Sequence, residues 1–227
     1  KFVMIIFDKP LVINLKNYNE ISGDNSRKIV MDAKKASFSN HSEIVIAPPP
    51  SSILALSRIK LPIISQHVDD VALGATTGFI VPEIIKSYGA VGSIINHSEH
   101  KIEHPQIKNL VKRLRDLEMI SIVCAENINE VKAVSRFSPD FLAIEPPELI
   151  GKGVAVSKAN PSIIKDSVQV VKQISSTVRI LCGAGIVDKY DVEKALELGA
   201  EGILISSGVI KSSSWYNKIL ELSSVLK

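Results

Sequence analysis

A chain of 227 residues, 45% hydrophobic and 22% charged, has the make-up of a globular protein with a sizeable core and suits one large domain or two small ones. Its apolar runs fall far short of the ~20 residues a membrane helix needs, and no charged, cleavable leader opens it, so neither export nor membrane insertion is expected. The net charge of +3 is spread without a Lys/Arg block and aromatics are few, which gives nucleic acid little to grip but suits a small anionic ligand. Cys124 and Cys182 each close a β-like run; they read as buried thiols in a reducing compartment, with the cytoplasm as the expected location.

The chain opens on Phe2–Phe7, apolar enough to be a competing first strand or an extension of it. Strand Leu11–Leu15 then leads to helix Asp24–Phe38, strand Ile44–Ala47 to helix Ser51–Ser57, and strand Pro62–Ser65 through a long loop, Gln66 to Phe79, to helix Pro82–Ser87. Strand Val91–Ile95 precedes helix Pro105–Leu117, Met119–Cys124 precedes Asn129–Arg136, and Asp140–Ile144 precedes Pro161–Ile174. Val178–Cys182 with Lys189–Leu198, and Ala200–Ile205 with Ser214–Leu226, complete the series. Asn160 and Asp188 stand where N-caps belong, and Pro82, Pro105 and Pro161 suit first turns. Strands that are almost wholly apolar, each followed by a helix, predict a parallel sheet covered by helices. Eight such units predict a closed, parallel, eight-stranded (β/α)8 barrel, the TIM-barrel architecture. With no linker or composition change to divide it, residues 1–227 are expected to form a single catalytic domain.

Chemistry in such a barrel sits where the strands end. The first strand ends Asn14-Leu15-Lys16, the fourth runs into Asn96-His97-Ser98-Glu99, and the sixth ends at Glu145. Beyond Glu145, Pro146 and Pro147 stiffen the exit while Gly151 and Gly153 free the backbone, the pattern of a hinged lid. Taken singly, Lys16 reads as solvated, His97 as a satisfied loop histidine and Glu145 as a loop carboxylate. Their meeting at one mouth is a catalytic arrangement. Gly183-Ala184-Gly185 and Ser206-Ser207-Gly208 follow the last two strands, the usual phosphate position of these barrels, whereas each alone would be a plain tight turn. His97-Ser98-Glu99 matches one piece of a zinc deaminase, and His100 and His104 have helical ligand spacing. The P-C-x-x-C element is missing, however, so no metal is expected. Neither Gly-rich piece completes a nucleotide-binding motif.

Eight pieces in order carry a resemblance over essentially the whole chain: Asn14-Leu15-Lys16, Ala47-Pro48-Pro49, Ser65-Gln66-His67, Gly74-Ala75-Thr76-Thr77-Gly78, Asn96-His97-Ser98-Glu99, Glu145-Pro146-Pro147-Glu148-Leu149-Ile150-Gly151, Cys182-Gly183-Ala184-Gly185-Ile186 and Ser206-Ser207-Gly208-Val209. The sequence resembles the triosephosphate isomerase family, most of all its short archaeal branch. The resemblance implies interconversion of dihydroxyacetone phosphate and glyceraldehyde 3-phosphate through an enediolate, with no cofactor. It implies Glu145 as the base, His97 as a neutral electrophile near a helix N-terminus, and Lys16 as the cation holding substrate, with Glu99 orienting Lys16. The implied substrate-binding set is Asn14, Leu15, Lys16, Ile150, Gly151, Gly183, Gly185, Ser206 and Ser207. Thr77, on the long loop, would approach a partner's active site in a homodimer or homotetramer. Asn96, in place of the glycine usual in bacterial and eukaryotic members, and Cys182, in place of a tyrosine, agree with the archaeal branch. A differently specific phosphate-binding barrel, or a catalytically silent one, is the alternative.

Overall fold

Strand residues of this chain alternate between two apolar layers, and that alternation builds the molecule. The computed structural model describes residues 7–146 and 161–226. Its strands are β1 (Leu11–Asn14), β2 (Ile44–Ala47), β3 (Gly92–Ile95), β4 (Ile120–Ala125), β5 (Phe141–Ile144), β6 (Arg179–Cys182) and β7 (Ile203–Ile205), all paired in parallel in the order β2-β1-β7-β6-β5-β4-β3. Between the edges β2 and β3 runs the expected third strand, residues 62–65, as two isolated parallel bridges, Ile46 with Ile63 and Ser65 with Ser93. Ile64 N–H donates to the Ile46 carbonyl at 2.9 Å, while Val91 N–H reaches the Ile63 carbonyl at 2.8 Å, so the segment still bonds on both sides and closes the barrel. It is not a regular strand because Pro62 supplies no N–H and each neighbour meets it at one residue pair only. The fold is therefore the (β/α)8 barrel, with seven regular strands and an irregular eighth among the described residues.

Around it lie α1 (Asn25–Asn40), α2 (Ile53–Leu56), α3 (Pro82–Ser87), α4 (His104–Asp116), α5 (Ile128–Ser135), α6 (Pro161–Ile174), α7 (Lys189–Glu197), α8 (Ser207–Ile210) and α9 (Trp215–Ser223). Of the expected caps, Asp188 accepts from the Asp191 amide to start α7 and Asn160 lies outside the described residues; Asn127, a further cap, accepts from the Asn129 and Glu130 amides to start α5. Four-residue α8 stands where the sequence suggests only a loop, since one turn is too short to show a period.

Val12, Val45, Ile64, Ile94, Ile122, Phe141, Leu181 and Leu204 fill the barrel, and Phe7, last residue of the N-terminal apolar stretch, is buried among them. Their neighbours Leu11, Ile13, Ile44, Ile46, Val123, Leu142, Ile180 and Ile203 face outward beneath the helices. Each fully buried aliphatic side chain contributes about 1.5–3 kcal/mol. Phe141 is fully buried with the Arg179 guanidinium 4.1 Å above its ring, so Phe141→Ala would cost about 3–5 kcal/mol. Cys124 belongs to the inner layer and Cys182 to the outer one; both are buried thiols outside any disulfide, held apart by the sheet itself.

Candidate active site

At the C-terminal rim of the strands, the residues that end β1, β3, β5, β6 and β7 line one cavity: Asn14, Lys16, His97, Glu145, Gly183, Gly185, Ser206 and Ser207 among them. At the end of β1 the chain turns sharply, and Lys16 takes a left-handed φ of 48°. Such a conformation is costly for a residue with a side chain and needs holding. The Asn14 carboxamide oxygen accepts the Lys16 N–H at 3.0 Å, and the Gln66 amide donates to the carbonyls of Lys16 at 3.1 Å and Ala47 at 3.0 Å. Lys16 Nζ then lies 2.7 Å from Glu99 Oε1, which fixes the cation over the cavity.

His97 leaves β3 into a turn in which its carbonyl accepts from the His100 amide at 2.8 Å. Its ring nitrogen Nδ1 accepts the Glu99 backbone N–H at 3.1 Å, so the proton of the neutral ring sits on Nε2. That donor belongs to a tight turn; the helix expected beside His97 begins only at His104. Nε2 faces Glu145 Oε1 at 3.6 Å.

Glu145 follows β5, its own N–H bonded to the Ala125 carbonyl at 2.9 Å. Only 4% of the residue is exposed, and Oε2 is buried without a hydrogen-bond partner among the described residues. Burial pushes its carboxyl above the ordinary range; His97, the Cys124 thiol and Lys16 pull the other way and do not offset it. The Cys124 thiol, buried in the barrel, is itself held well above its usual range, first by burial and next by the Glu145 carboxylate. A carboxyl in this state holds a proton more readily than a solvated one.

The phosphate side is partly as expected. Gly185 has a left-handed φ of 74°, and the Ser206 hydroxyl is buried in the cavity wall with no partner among the described residues. Ser207 opens α8; the Val209 and Ile210 N–H groups bond to the Ser206 carbonyl at 3.0 and 3.1 Å, which leaves the Ser207 and Gly208 N–H groups without acceptors inside the helix. Gly183 differs: its N–H is committed to the Ile144 carbonyl at 3.0 Å, and its missing side chain serves Glu145 instead.

Leu15 does not join the cavity. Alternation along the strand turns its side chain into the outer layer, and its N–H goes to the Ala47 carbonyl at 2.9 Å. Ile150 and Gly151 lie outside the described residues. Thr77 is exposed on the loop after residue 65, shortly before a neck where the Asp69 N–H donates to the Ile80 carbonyl at 2.8 Å. Gln66, Tyr18 and Cys124 were not singled out for this site. Gln66 has a faint signal, sitting directly after a strand; Tyr18 in the wall and Cys124 beside Glu145 have none, because their places depend on elements distant in sequence. No cluster of three or more His, Cys, Asp or Glu able to hold a metal occurs among the described residues.

The site's geometry can be set beside known proteins. The sequence profile of triosephosphate isomerase matches residues 9–223. The chain is 43% identical to the triosephosphate isomerase of Cenarchaeum symbiosum over 216 residues, 95% of this chain and 97% of that one. It is 41% identical to that of Methanothermus fervidus over 217 residues, 95% of this chain and 98% of the relative. With that of Methanocaldococcus jannaschii it shares 42% over 213 residues, 93% and 97% of the two chains. With a matching profile over nearly its whole length and archaeal relatives of this similarity, the chain belongs to the triosephosphate isomerase family.

Proposed function

We propose that this chain interconverts dihydroxyacetone phosphate and D-glyceraldehyde 3-phosphate with Glu145, His97 and Lys16 as its chemical residues, acting as a single catalytic domain. The observation that carries the assignment is the approach of His97 Nε2 to the buried Glu145 Oε1 at 3.6 Å, in a cavity that Lys16 also lines. The Glu145 carboxylate takes the proton from the carbon beside the substrate carbonyl. The C–H electron pair becomes the enediolate double bond and the carbonyl pair moves onto oxygen, where His97 Nε2–H and Lys16 Nζ stabilise it. Protonated Glu145 then returns its proton to the neighbouring carbon, while the hydroxyl on the first carbon gives up its proton, by way of His97, to the enediolate oxygen and becomes the new carbonyl. A buried base with a raised affinity for protons matches this task better than a solvated one.

Asn14 would add a hydrogen bond to the substrate, and the phosphate would rest on backbone donors around Gly185, Ser206 and Ser207. The family pattern adds Ile150 and Gly151 from the lid. The exposed loop bearing Thr77, with Leu73 58% and Phe79 53% exposed, suits burial in a homodimer or homotetramer. No helix among the described residues is long and apolar enough to cross a membrane, and two buried cysteines outside any disulfide suit the cytoplasm.

The test is a coupled assay with glyceraldehyde 3-phosphate, with and without a two-carbon phosphate bearing a carboxylate as enediolate mimic. Rapid formation of dihydroxyacetone phosphate, blocked by the mimic, is expected. Binding of the mimic without turnover would overturn the reading in favour of a silent or differently specific barrel.

A further inference from the structure

Asn96, the residue before His97, has a left-handed φ of 60° although it is not glycine. It is 1% exposed, so its carboxamide must be satisfied from within the protein. Nδ2 donates to the Cys124 carbonyl at 3.0 Å and to Glu130 Oε1 at 2.8 Å, while Oδ1 accepts the Ile102 N–H at 3.2 Å. One side chain thereby ties the end of β3 to the end of β4, to α5 and to the chain beyond the His97 turn. Glu130 in turn is held from every side. Lys101 Nζ lies 2.9 Å from Oε1 and 3.0 Å from Oε2, and the Glu126 N–H reaches Oε2 at 2.8 Å.

From this clasp we infer that Glu130 is a positioning residue for the isomerisation: through Asn96 it fixes the turn that aims His97 Nε2 at the substrate. The inference rests on the reading of His97 given above. Glu130 lines neither cavity at the catalytic mouth, so it touches no substrate. Its carboxylate is not needed to start α5, which Asn127 already caps. Its side chain is 16% exposed, and a charge so placed costs desolvation that only specific bonds offset. Burial pushes the Glu130 carboxyl up, and the bonds from Lys101, the Glu126 amide and Asn96 bring it below the usual range, so it is held ionised. The carbonyl that Asn96 grips belongs to Cys124, whose thiol faces Glu145, so one clasp sets the approach of both members of the pair.

The experiment compares Glu130→Ala, Glu130→Gln, Asn96→Gly and the double variant Asn96→Gly/Glu130→Ala. Glu130→Ala should lower kcat about tenfold while KM stays within about twofold, the pattern of lost orientation. Glu130→Gln keeps an acceptor for Asn96 and should recover most of that loss. In the Asn96→Gly background, Glu130→Ala should change kcat no further, since the path through Asn96 is already cut. Independently of turnover, nitrogen-15 imidazole signals of His97 in the ligand-free protein should shift from the Nε2–H tautomer towards a mixture in Glu130→Ala. Unchanged kcat and imidazole signals in Glu130→Ala, or additive losses from the two single changes, would overturn the inference. A native protein that fails to isomerise at all would strike the proposed function, while the imidazole signals would still judge the clasp.

Discussion

A β-carbon placed on Gly183 would stand 2.4 Å from Cγ of Glu145 and 3.1 Å from its Cδ. No real side chain tolerates the first distance, so the loop after β6 carries a glycine because the carboxylate at the end of β5 occupies the space. The neighbouring strands hold the two residues in register, with Ile144 opposite Cys182 in the ladder.

Gly183→Ala is therefore expected to push Glu145 off its approach to His97. The backbone at Gly183 is not in the left-handed region, so alanine adds a steric conflict without backbone strain. A displacement of the base by a fraction of an ångström should cost about tenfold to a hundredfold in kcat, with binding of the enediolate mimic less affected. Steady-state kinetics with mimic inhibition decides it; native kcat would show that Glu145 is not held where its role requires.

Glu145→Gln should remove turnover by about 10²–10⁴-fold or more while leaving phosphate-analogue binding detectable. The same change tests the buried charge. The folded state holds the Glu145 proton more tightly than the unfolded state does, so this group's contribution to stability is present below the unfolded pKa and is lost as pH rises through the folded one. At about pH 7 the ionised carboxylate is a net strain, and Glu145→Gln should melt higher, by about 2–4 °C for each kcal/mol relieved. Near pH 4 the two proteins should differ less. Calorimetry across this range, with the Gln variant melting lower at pH 7, would contradict the raised affinity.

Lys16→Met keeps the length of the side chain and removes its charge. The affinity for substrate and mimic should fall about tenfold to a hundredfold, the scale of hydrogen bonds to charged groups. The loss should shrink in high salt if part of it is long-range attraction. Calorimetric titration of the mimic checks this, and unchanged affinity would remove the electrostatic role. Freed from Lys16, Glu99 should be replaceable by Gln in that background without further loss.

Leu73→Asp together with Phe79→Asp should lower the subunit count and the specific activity in step. Both side chains are exposed on the long loop, where an oligomer would bury them. Sedimentation at several concentrations would show it; an unchanged sedimentation coefficient would place the subunit contact elsewhere.

The barrel was legible because its strands are short, apolar on both faces and separated by helices with readable caps; Pro82–Ser87 and Pro161–Ile174 are helices with the bounds the sequence predicts. The third strand was legible in composition but not in regularity, since only the closing geometry shows that residues 62–65 touch each neighbour once. At the site, chemistry-bearing residues at strand ends stood out by type and position. What stayed hidden were side chains whose meaning lies in a neighbour far along the chain: Asn96 against Glu130, Cys124 beneath Glu145, Gln66 across Lys16 and Ala47. Leu15 shows the opposite case, a motif residue whose strand parity turns it away from the chemistry.

By itself, then, the sequence determined the family and the parallel barrel, and it singled out the carboxylate, imidazole and cation proposed for the chemistry, because each of these is written in local period, residue type and order. Only the tertiary structure decided that Gly183 makes room for a carboxylate, that the His97 proton lies on Nε2, and that Asn96 is clasped by Glu130. Those are distances of a few ångströms between segments tens of residues apart, and no spacing along a chain encodes them until strand register and barrel closure bring the segments together.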